Sequence, residues 1–243
     1  MNLASYRPSN GLVTFLCFLL GANALLRLVG AGAAWLDIEM LGKYTSFEQI
    51  SEAEFITAGL RALLVLALSS LVFILTAIVF CVWVVRAAKN ARALGAQGMT
   101  VSPGWCAGWF FVPIASLFMP FKGVCEIYKA SEPAVPPANP EGWKGVPVPA
   151  LLGAWWAFWI IGLVVNNASI GFGSGNSIDT LIASSWISMG GQTVSMLGAF
   201  AALGVVRLIH DRQQHRAHAL SQNPALAQAG SGASSFLPHA PAA

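Results

Sequence analysis

The chain has 243 residues, of which 56% are hydrophobic and only 9% are charged. Soluble globular domains are about 25% charged, so this composition excludes an ordinary soluble domain. The net charge of +3 is small. The Lys and Arg residues of the chain lie beside apolar segments instead of forming one basic patch. This distribution excludes DNA or RNA binding.

Four long apolar segments are predicted to cross a membrane. Crossing the ~30 Å hydrocarbon core takes about 20 apolar residues, and Arg27 is the one charged residue inside the four segments. The predicted spans are residues 12–35, 62–85, 148–165 and 181–206. The sequence therefore predicts an all-α integral membrane protein with a four-helix transmembrane domain over residues 1–210.

The first apolar segment has two interpretations. Arg7, the apolar stretch and the small residues at 30–34 resemble a cleaved secretory signal. The segment is longer than a signal and contains Arg27, which favours a retained span. Both interpretations leave the other three spans with the same orientation.

Lys and Arg lie on alternate connections, and this asymmetry predicts the orientation. Short loops rich in Lys and Arg stay in the cytoplasm. Residues 86–147 contain six of them, whereas residues 36–61 contain five acidic residues. Both termini are therefore predicted to be cytoplasmic, with the first loop outside.

The second span is predicted to be part of a longer helix. Ser51 and Glu54 match a capping box at its external start, and Gly95 is placed to end it. Such a helix is roughly 65 Å long. Its cytoplasmic end extends beyond the lipid.

Residues 101–121 are uncharged but are predicted not to cross. Pro113 and Pro120 would leave backbone groups unpaired in lipid, and crossing would move three lysines outside. Ser102 followed by Pro103 is a favourable helix start. A cytoplasmic interfacial or re-entrant helical hairpin between helices 2 and 3 is therefore predicted over residues 101–130.

The second half of this hairpin is predicted to be amphipathic. Phe121, Val124, Cys125 and Tyr128 share one apolar helix face. The opposite face carries Lys122, Glu126 and Lys129. This pattern is typical of a helix that lies in the interface plane.

Two later segments are predicted to lack regular structure. Residues 131–149 contain six prolines and predict an extended linker, for which a plain spacer is favoured over a docking site for an SH3-like partner. Residues 211–243 are rich in Ala, Gln, Ser and Pro and predict a disordered cytoplasmic tail.

Residues 83–131 carry a long motif. It runs W-x-x-R-A-x-x-N-x-x-A-L-G, then S-P-G-W-x-x-G-W-x-x-x-P-I-x-x-L-x-x-P, and ends in A-S. This motif resembles the bacterial membrane-protein family known as domain of unknown function 4328, although Met119 and Phe121 depart from the family's frequent Arg and Tyr. The resemblance implies a multi-pass protein of the bacterial cytoplasmic membrane. The family has no established activity, so the resemblance implies no mechanism.

Catalytic chemistry is not visible in the sequence. No Asp, Glu or His lies inside a predicted span, although intramembrane proton relays and metalloenzymes need such groups. No nucleophile–base pair stands out, and the four His residues lie in or beside the tail, where a metal site is the less favoured interpretation. We therefore predict no catalytic residue, no cofactor, no metal and no enzymatic activity.

The cytoplasmic motif supplies the first candidate site. Its members are Arg86, Lys89, Asn90, Arg92, Trp105, Trp109 and Lys122. Cations beside a bilayer attract anionic headgroups at about 1 kcal/mol each, and indoles settle at the interface. The leading hypothesis is a non-enzymatic membrane protein that binds lipid headgroups or a partner protein here. Simple anchoring explains the same residues equally well.

The second candidate site lies inside the spans and consists of Asn23, Arg27 and Gln192. Arg27 predicts an anion or headgroup site, against the favoured interpretation that it reaches toward the outer interface. Gln192 belongs to a polar stripe with Ser184, Ser188 and Ser195. This stripe predicts either the lining of a permeation path or, more simply, a surface through which helices pack. The alternative function is thus a small channel or transporter subunit. A homo-oligomer is compatible with the small-residue helix faces.

Overall fold

The computed structural model describes residues 5–136, 138–173 and 177–222. This part of the chain is helical and contains no β-strand, which confirms the all-α class. The α-helices are α1 (Asn10–Leu41), α2 (Glu52–Ala93), α3 (Pro103–Gly108), α4 (Met119–Ala130), α5 (Ala150–Gly173) and α6 (Ile178–Gln222). Single 3-10 turns lie at Phe47–Gln49, Trp109–Phe111, Ala115–Leu117 and Gly142–Gly145.

Four of these helices, α1, α2, α5 and α6, are long and apolar enough to cross a membrane. The prediction of four helices that could cross a membrane is therefore confirmed. In the most apolar window of α2 only 6% of the residues are buried inside the protein. A helix that is apolar all round and remains uncovered is suited to lipid and not to water.

Both ends of α2 follow the prediction. The Ser51 hydroxyl accepts a hydrogen bond from the Glu54 backbone N–H at 3.3 Å, and the Glu54 carboxylate accepts one from the Ser51 N–H at 3.3 Å. This reciprocal pair is a capping box. At the other end Gly95 has a φ of +96°, a left-handed conformation that favours glycine and ends the helix.

The prediction of a disordered tail from residue 211 is wrong as far as Gln222, because α6 continues to that residue. The polar composition concealed a helix face that is buried in the structure and consists of Ile209, Gln213, Arg216 and Leu220. Tertiary packing holds this end of the helix. The rest of the predicted tail, residues 223–243, lies outside the described residues.

The described residues divide into two compact units. Those within 14–79 and 150–205 form one, which we call the bundle unit. Those within 1–13, 80–149 and 206–222 form the other, which we call the motif unit because it contains the whole 83–131 motif. Each of α1, α2 and α6 therefore contributes residues to both units.

In the bundle unit, α5 and α6 approach closely through small residues. A Cβ atom at Gly198 would lie 3.3 Å from the Cβ atom of Phe158, and one at Gly162 would lie 2.8 Å from the Ser195 hydroxyl. Small residues at such crossings let membrane helices pack backbone to backbone.

In the motif unit, α4 is buried more fully than its amphipathic pattern predicted. Val124 and Tyr128 are buried, but so are Ile127 and Glu126, so the placement of Glu126 on a polar outer face is wrong. Its carboxylate accepts hydrogen bonds from the backbone N–H groups of Thr100 at 3.1 Å and Val101 at 3.2 Å. These bonds satisfy the buried charge and fasten the chain between α2 and α3 to α4.

Residues 101–121 form no helix long enough to span. The Ser102 hydroxyl accepts from the Trp105 N–H at 3.4 Å and Pro103 begins α3, as predicted. Two 3-10 turns follow, and Ile114 between them has a φ of +66°. A positive φ is strained for a β-branched residue, and it breaks the helical path here.

The Pro-rich linker packs onto the motif unit. Trp143 is 4% exposed, and its indole N–H donates to the Gln97 carbonyl at 2.8 Å. The Gln97 N–H in turn donates to the Pro140 carbonyl at 3.0 Å. At Pro140 and Trp143 the linker is thus an ordered part of the motif unit and not a freely extended spacer.

Candidate functional site

Asn90 of the predicted cytoplasmic site has a structural role. It is 3% exposed. Its amide nitrogen donates to the Arg7 carbonyl at 3.0 Å, and its amide oxygen accepts from the Arg7 N–H at 3.2 Å. Both polar atoms of Asn90 are thereby used in fixing the N-terminal segment to α2, which leaves little for a ligand.

Arg92 is also used within the fold. One guanidinium nitrogen donates to the Val101 carbonyl at 2.6 Å, and the other terminal nitrogen donates to the Ala88 carbonyl at 3.3 Å. A cation in the last turn of a helix also interacts favourably with the helix dipole. Arg92 therefore stabilises the end of α2 and the segment that follows it.

Three predicted cations remain available for a ligand. Lys89 and Lys122 are exposed and Arg86 is half-buried. Within the described residues, none of the three makes an ion pair or a hydrogen bond. Arg86 and Lys89 are three residues apart on α2 and so share a face.

The two predicted tryptophans lie together at the start of an exposed apolar surface. The rings of Trp105 and Trp109 are 4.6 Å apart between centroids. The surface, which we call the apolar tip, consists of Trp105, Phe111, Ile114, Leu117 and Phe118, all at least 46% exposed. The adjacent Phe110 packs edge-on against Phe80 of α2, with ring centroids 5.9 Å apart.

Polar side chains of α6 form a network that was not predicted from the sequence. Gln213 donates through its amide to the Ala87 carbonyl at 2.8 Å and to the Ser131 hydroxyl at 3.1 Å. Arg216 donates through Nε to the Leu94 carbonyl at 3.1 Å. The spacing of Ile209, Gln213, Arg216 and Leu220 at i, i+4, i+7 and i+11 was the signal of this buried face.

Arg212 extends the same network. Its guanidinium forms an ion pair with Glu132 and donates to the Tyr128 hydroxyl. It also lies over the Tyr128 ring, 4.0 Å from the centroid, in a cation–π contact. These contacts join α6 to the end of α4.

Two of the three cysteines of the motif unit, Cys106 and Cys125, are poor nucleophiles. Burial raises the pKa of the Cys106 thiol to about 11, and burial likewise raises the pKa of Cys125 to about 11. Since the thiolate is the reactive and metal-binding form, both side chains stay protonated near neutral pH. Among the described residues, no group of three or more His, Cys, Asp or Glu is arranged to hold a metal ion.

The predicted intramembrane site is only partly brought together. Gln192 accepts a hydrogen bond through Oε1 from Nη1 of Arg27 at 3.1 Å. Asn23 instead donates to the Thr76 hydroxyl at 2.5 Å and to the Leu19 carbonyl at 3.1 Å. Asn23 is buried and joins α1 to α2.

Arg27 and Gln192 line a cavity of about 360 Å³ in the bundle unit. The cavity is also lined by Ser69 and Ser70 of α2, Ser169 of α5, and Ser184, Ser185 and Ser188 of α6. Asp37 reaches it too, but its carboxylate forms an ion pair with Arg61. The cavity therefore has polar walls from all four helices of the unit.

The polar stripe of α6 divides between the cavity and helix packing. Ser184, Ser188 and Gln192 line the cavity. Ser195 instead accepts a hydrogen bond from the Asn166 amide at 3.1 Å. The packing interpretation thus fits Ser195.

Comparison with known proteins identifies the family. A family model described as Domain of unknown function (DUF4328) matches residues 48–211. This match covers more than half of the chain, and the chain belongs to that family, as the motif at residues 83–131 predicted. No curated protein matches the chain, and no solved structure matches it.

Proposed function

We propose that this DUF4328 protein is a non-enzymatic module of a bacterial cytoplasmic membrane that collects anionic lipids around its motif unit. In this proposal the apolar tip enters the lipid on the cytoplasmic side, and nearby lysines contact the headgroups. The observation that carries the proposal is the apolar tip itself.

The composition of the tip favours lipid over water. Phe111 is 78% exposed and Ile114 is 74% exposed, and the stretch from residue 101 to 121 contains no charge. Complete burial of one such side chain is worth about 1.5–3 kcal/mol. Monomeric soluble surfaces rarely keep large apolar side chains together in this way.

The contact between Phe110 and Phe80 supports insertion. Phe80 lies five residues before the end of the predicted 62–85 span, which corresponds to about 8 Å along the helix. A segment that packs at this level of α2 lies beside the lipid-facing part of that helix. Headgroup depth is therefore accessible to the tip.

The available cations support selectivity for anionic lipids. Lys122 follows Phe118 by one helical turn at the start of α4, and Lys89 projects from the end of α2. Each cation near an anionic surface contributes about 1 kcal/mol. Since Arg92 and Asn90 hold the fold, Lys89 and Lys122 are the residues to change.

The first experiment compares two double variants that remove equal charge. Full-length protein is purified in mild detergent with mixed zwitterionic and anionic lipid, and bound lipids are counted by native mass spectrometry. Lys89→Gln with Lys122→Gln should weaken anionic-lipid binding about 30-fold. The matched control is Lys129→Gln with Lys144→Gln, since Lys144 pairs with Glu141. Equal losses in both variants would contradict a specific role of the proposed cations.

The second experiment measures the depth of the tip. A nitroxide label on Ile114→Cys, in a background without the native cysteines, is tested for collision with oxygen and with a water-soluble nickel chelate in lipid nanodiscs. The proposal expects protection from nickel, whereas a label at the exposed Gln97, whose printed hydrogen bonds use its backbone, should remain accessible. Full access of the nickel chelate to position 114 would show that the tip does not enter the membrane.

A further inference from the structure

We propose that the cavity around Arg27 in the bundle unit binds an oxyanion of the phosphate or phosphodiester class. This site is independent of the lipid contacts proposed for the motif unit. Its defining feature is a guanidinium inside an apolar span that pairs with no carboxylate among the described residues.

Arg27 lies well inside the first predicted span. It is eight residues from the end of the 12–35 segment, or about 12 Å along the helix. Its side chain makes one hydrogen bond within the described part of the chain, through Nη1 to Gln192. A charged group at such a position is expensive in a bilayer unless it meets a partner or a polar cavity, so it marks a functional site.

The nearby carboxylate does not neutralise Arg27. Asp37 lines the same cavity but forms its ion pair with Arg61. The Asp37–Arg61 pair cancels its own charge, and the cavity keeps the positive charge of Arg27. An anion is the ligand that completes this balance.

The remaining donors around Arg27 suit an oxyanion. Ser69, Ser188 and Gln192 line the cavity. The two hydroxyls and the Gln192 amide nitrogen have no hydrogen-bond partner among the residues that the structure describes. A guanidinium presents several N–H groups in a planar fork that matches phosphate and carboxylate oxygens. Hydroxyl and amide donors add direction, which a site for a simple halide does not require.

Gly30 makes the site possible. It lies one turn after Arg27 on α1, and a Cβ atom there would lie 3.1 Å from Cδ of Gln192. The absent side chain leaves the space through which Gln192 reaches Arg27. The volume of about 360 Å³ is at the small end of the range for ligand sites, about 300–1,000 Å³, which suits a headgroup or a small anion.

The test uses the full-length protein in mild detergent with two probes. Radiolabelled inorganic phosphate is measured by equilibrium dialysis, and dihexanoyl phosphatidylglycerol is measured by native mass spectrometry. Arg27→Gln should weaken binding of the true ligand class at least about tenfold, because it removes a charge-assisted hydrogen bond. Arg27→Lys keeps the charge but loses the fork and should recover only part of the affinity.

Two further variants separate binding from folding. Gly30→Ala keeps the charge and crowds Gln192, so several-fold weaker binding is expected. Thr193→Ala is the control. Thr193 is exposed beside Gln192, and within the described ranges its hydroxyl bonds only the Met189 carbonyl of its own helix. A normal melting temperature must accompany each comparison. If Arg27→Gln does not fold, Gly30→Ala decides the question.

The two probes distinguish the source of the oxyanion. Phosphate binding that depends on Arg27 identifies a free anion, and binding of the short lipid alone identifies a headgroup. Binding of both probes that is unchanged in Arg27→Gln and Gly30→Ala, or no binding at all, overturns the proposal. The Lys89→Gln and Lys122→Gln variant should bind phosphate like the unmodified protein, so this test and that of the proposed function fail separately.

Discussion

Replacing Asn90 with Ala should loosen the attachment of the N-terminal segment to the motif unit. The Asn90 side chain makes two hydrogen bonds with the backbone of Arg7, at 3.0 and 3.2 Å, and a longer one with Gln213 at 3.5 Å. Alanine removes all three partners at a position that is 3% exposed. Because the position is buried, water does not directly replace the lost hydrogen bonds.

The magnitude follows from the two shorter bonds. A typical intramolecular hydrogen bond contributes about 0.5–1.5 kcal/mol net, and a buried group left without a partner costs about 1–3 kcal/mol. The Arg7 groups are only partly buried, and the bond to Gln213 is long. We therefore expect about 2 kcal/mol, which corresponds to roughly a 30-fold increase in local opening.

Hydrogen exchange in lipid nanodiscs measures this opening. The amides of residues 5–13 and of the facing turn of α2 should exchange roughly 30-fold faster in Asn90→Ala, because exchange follows the local opening equilibrium. The control is Asn167→Ala. Asn167 is exposed, and in the part of the chain that the structure describes its amide bonds only the Leu163 carbonyl one turn away, at 2.7 Å. It should change exchange about twofold or less. If Asn90→Ala also stays within twofold, Asn90 does not hold this segment and the argument is refuted.

Two further predictions concern topology and the end of α6. A cysteine introduced at Ser46 should react with an impermeant maleimide from outside intact cells. A cysteine at Gly145, where a Cβ atom has open space, should not react. External labelling at Gly145 would refute the predicted orientation. Deleting all residues after Gln222 should leave the amount of protein in the membrane nearly unchanged. Deleting all residues after Asp211 should reduce that amount strongly, because Gln213 is buried. Equal amounts of the two truncated proteins would contradict a structural role for the end of α6.

The sequence by itself determined the spans and several helix ends. A long run of apolar residues by itself indicates a segment that enters lipid. Helix caps such as the Ser51–Glu54 pair and Ser102 are interactions between residues close together in the chain. Gly95 ended α2 for a similarly local reason, its left-handed backbone. The motif at residues 83–131 predicted the family. Each of these features depends on residues close together in the chain.

Only the tertiary structure decided which polar side chains hold the fold and which remain available. Asn90 and Glu126 resembled surface residues in sequence, yet both are buried because backbone groups at Arg7 and Thr100 satisfy them. Such partners come from chain segments whose positions depend on the whole packing arrangement, so no local pattern specifies them.

The candidate site at Arg27 and Gln192 illustrates this difference most clearly. Arg27 and Gln192 were each visible as unusual residues in apolar segments, but they are 165 positions apart. Their meeting in one cavity depends on how α1 and α6 pack and on the missing side chain of Gly30. Hydrophobicity specifies that a helix enters lipid, whereas the pairing of helix faces is set by side-chain shape across the interface, which the linear sequence does not display.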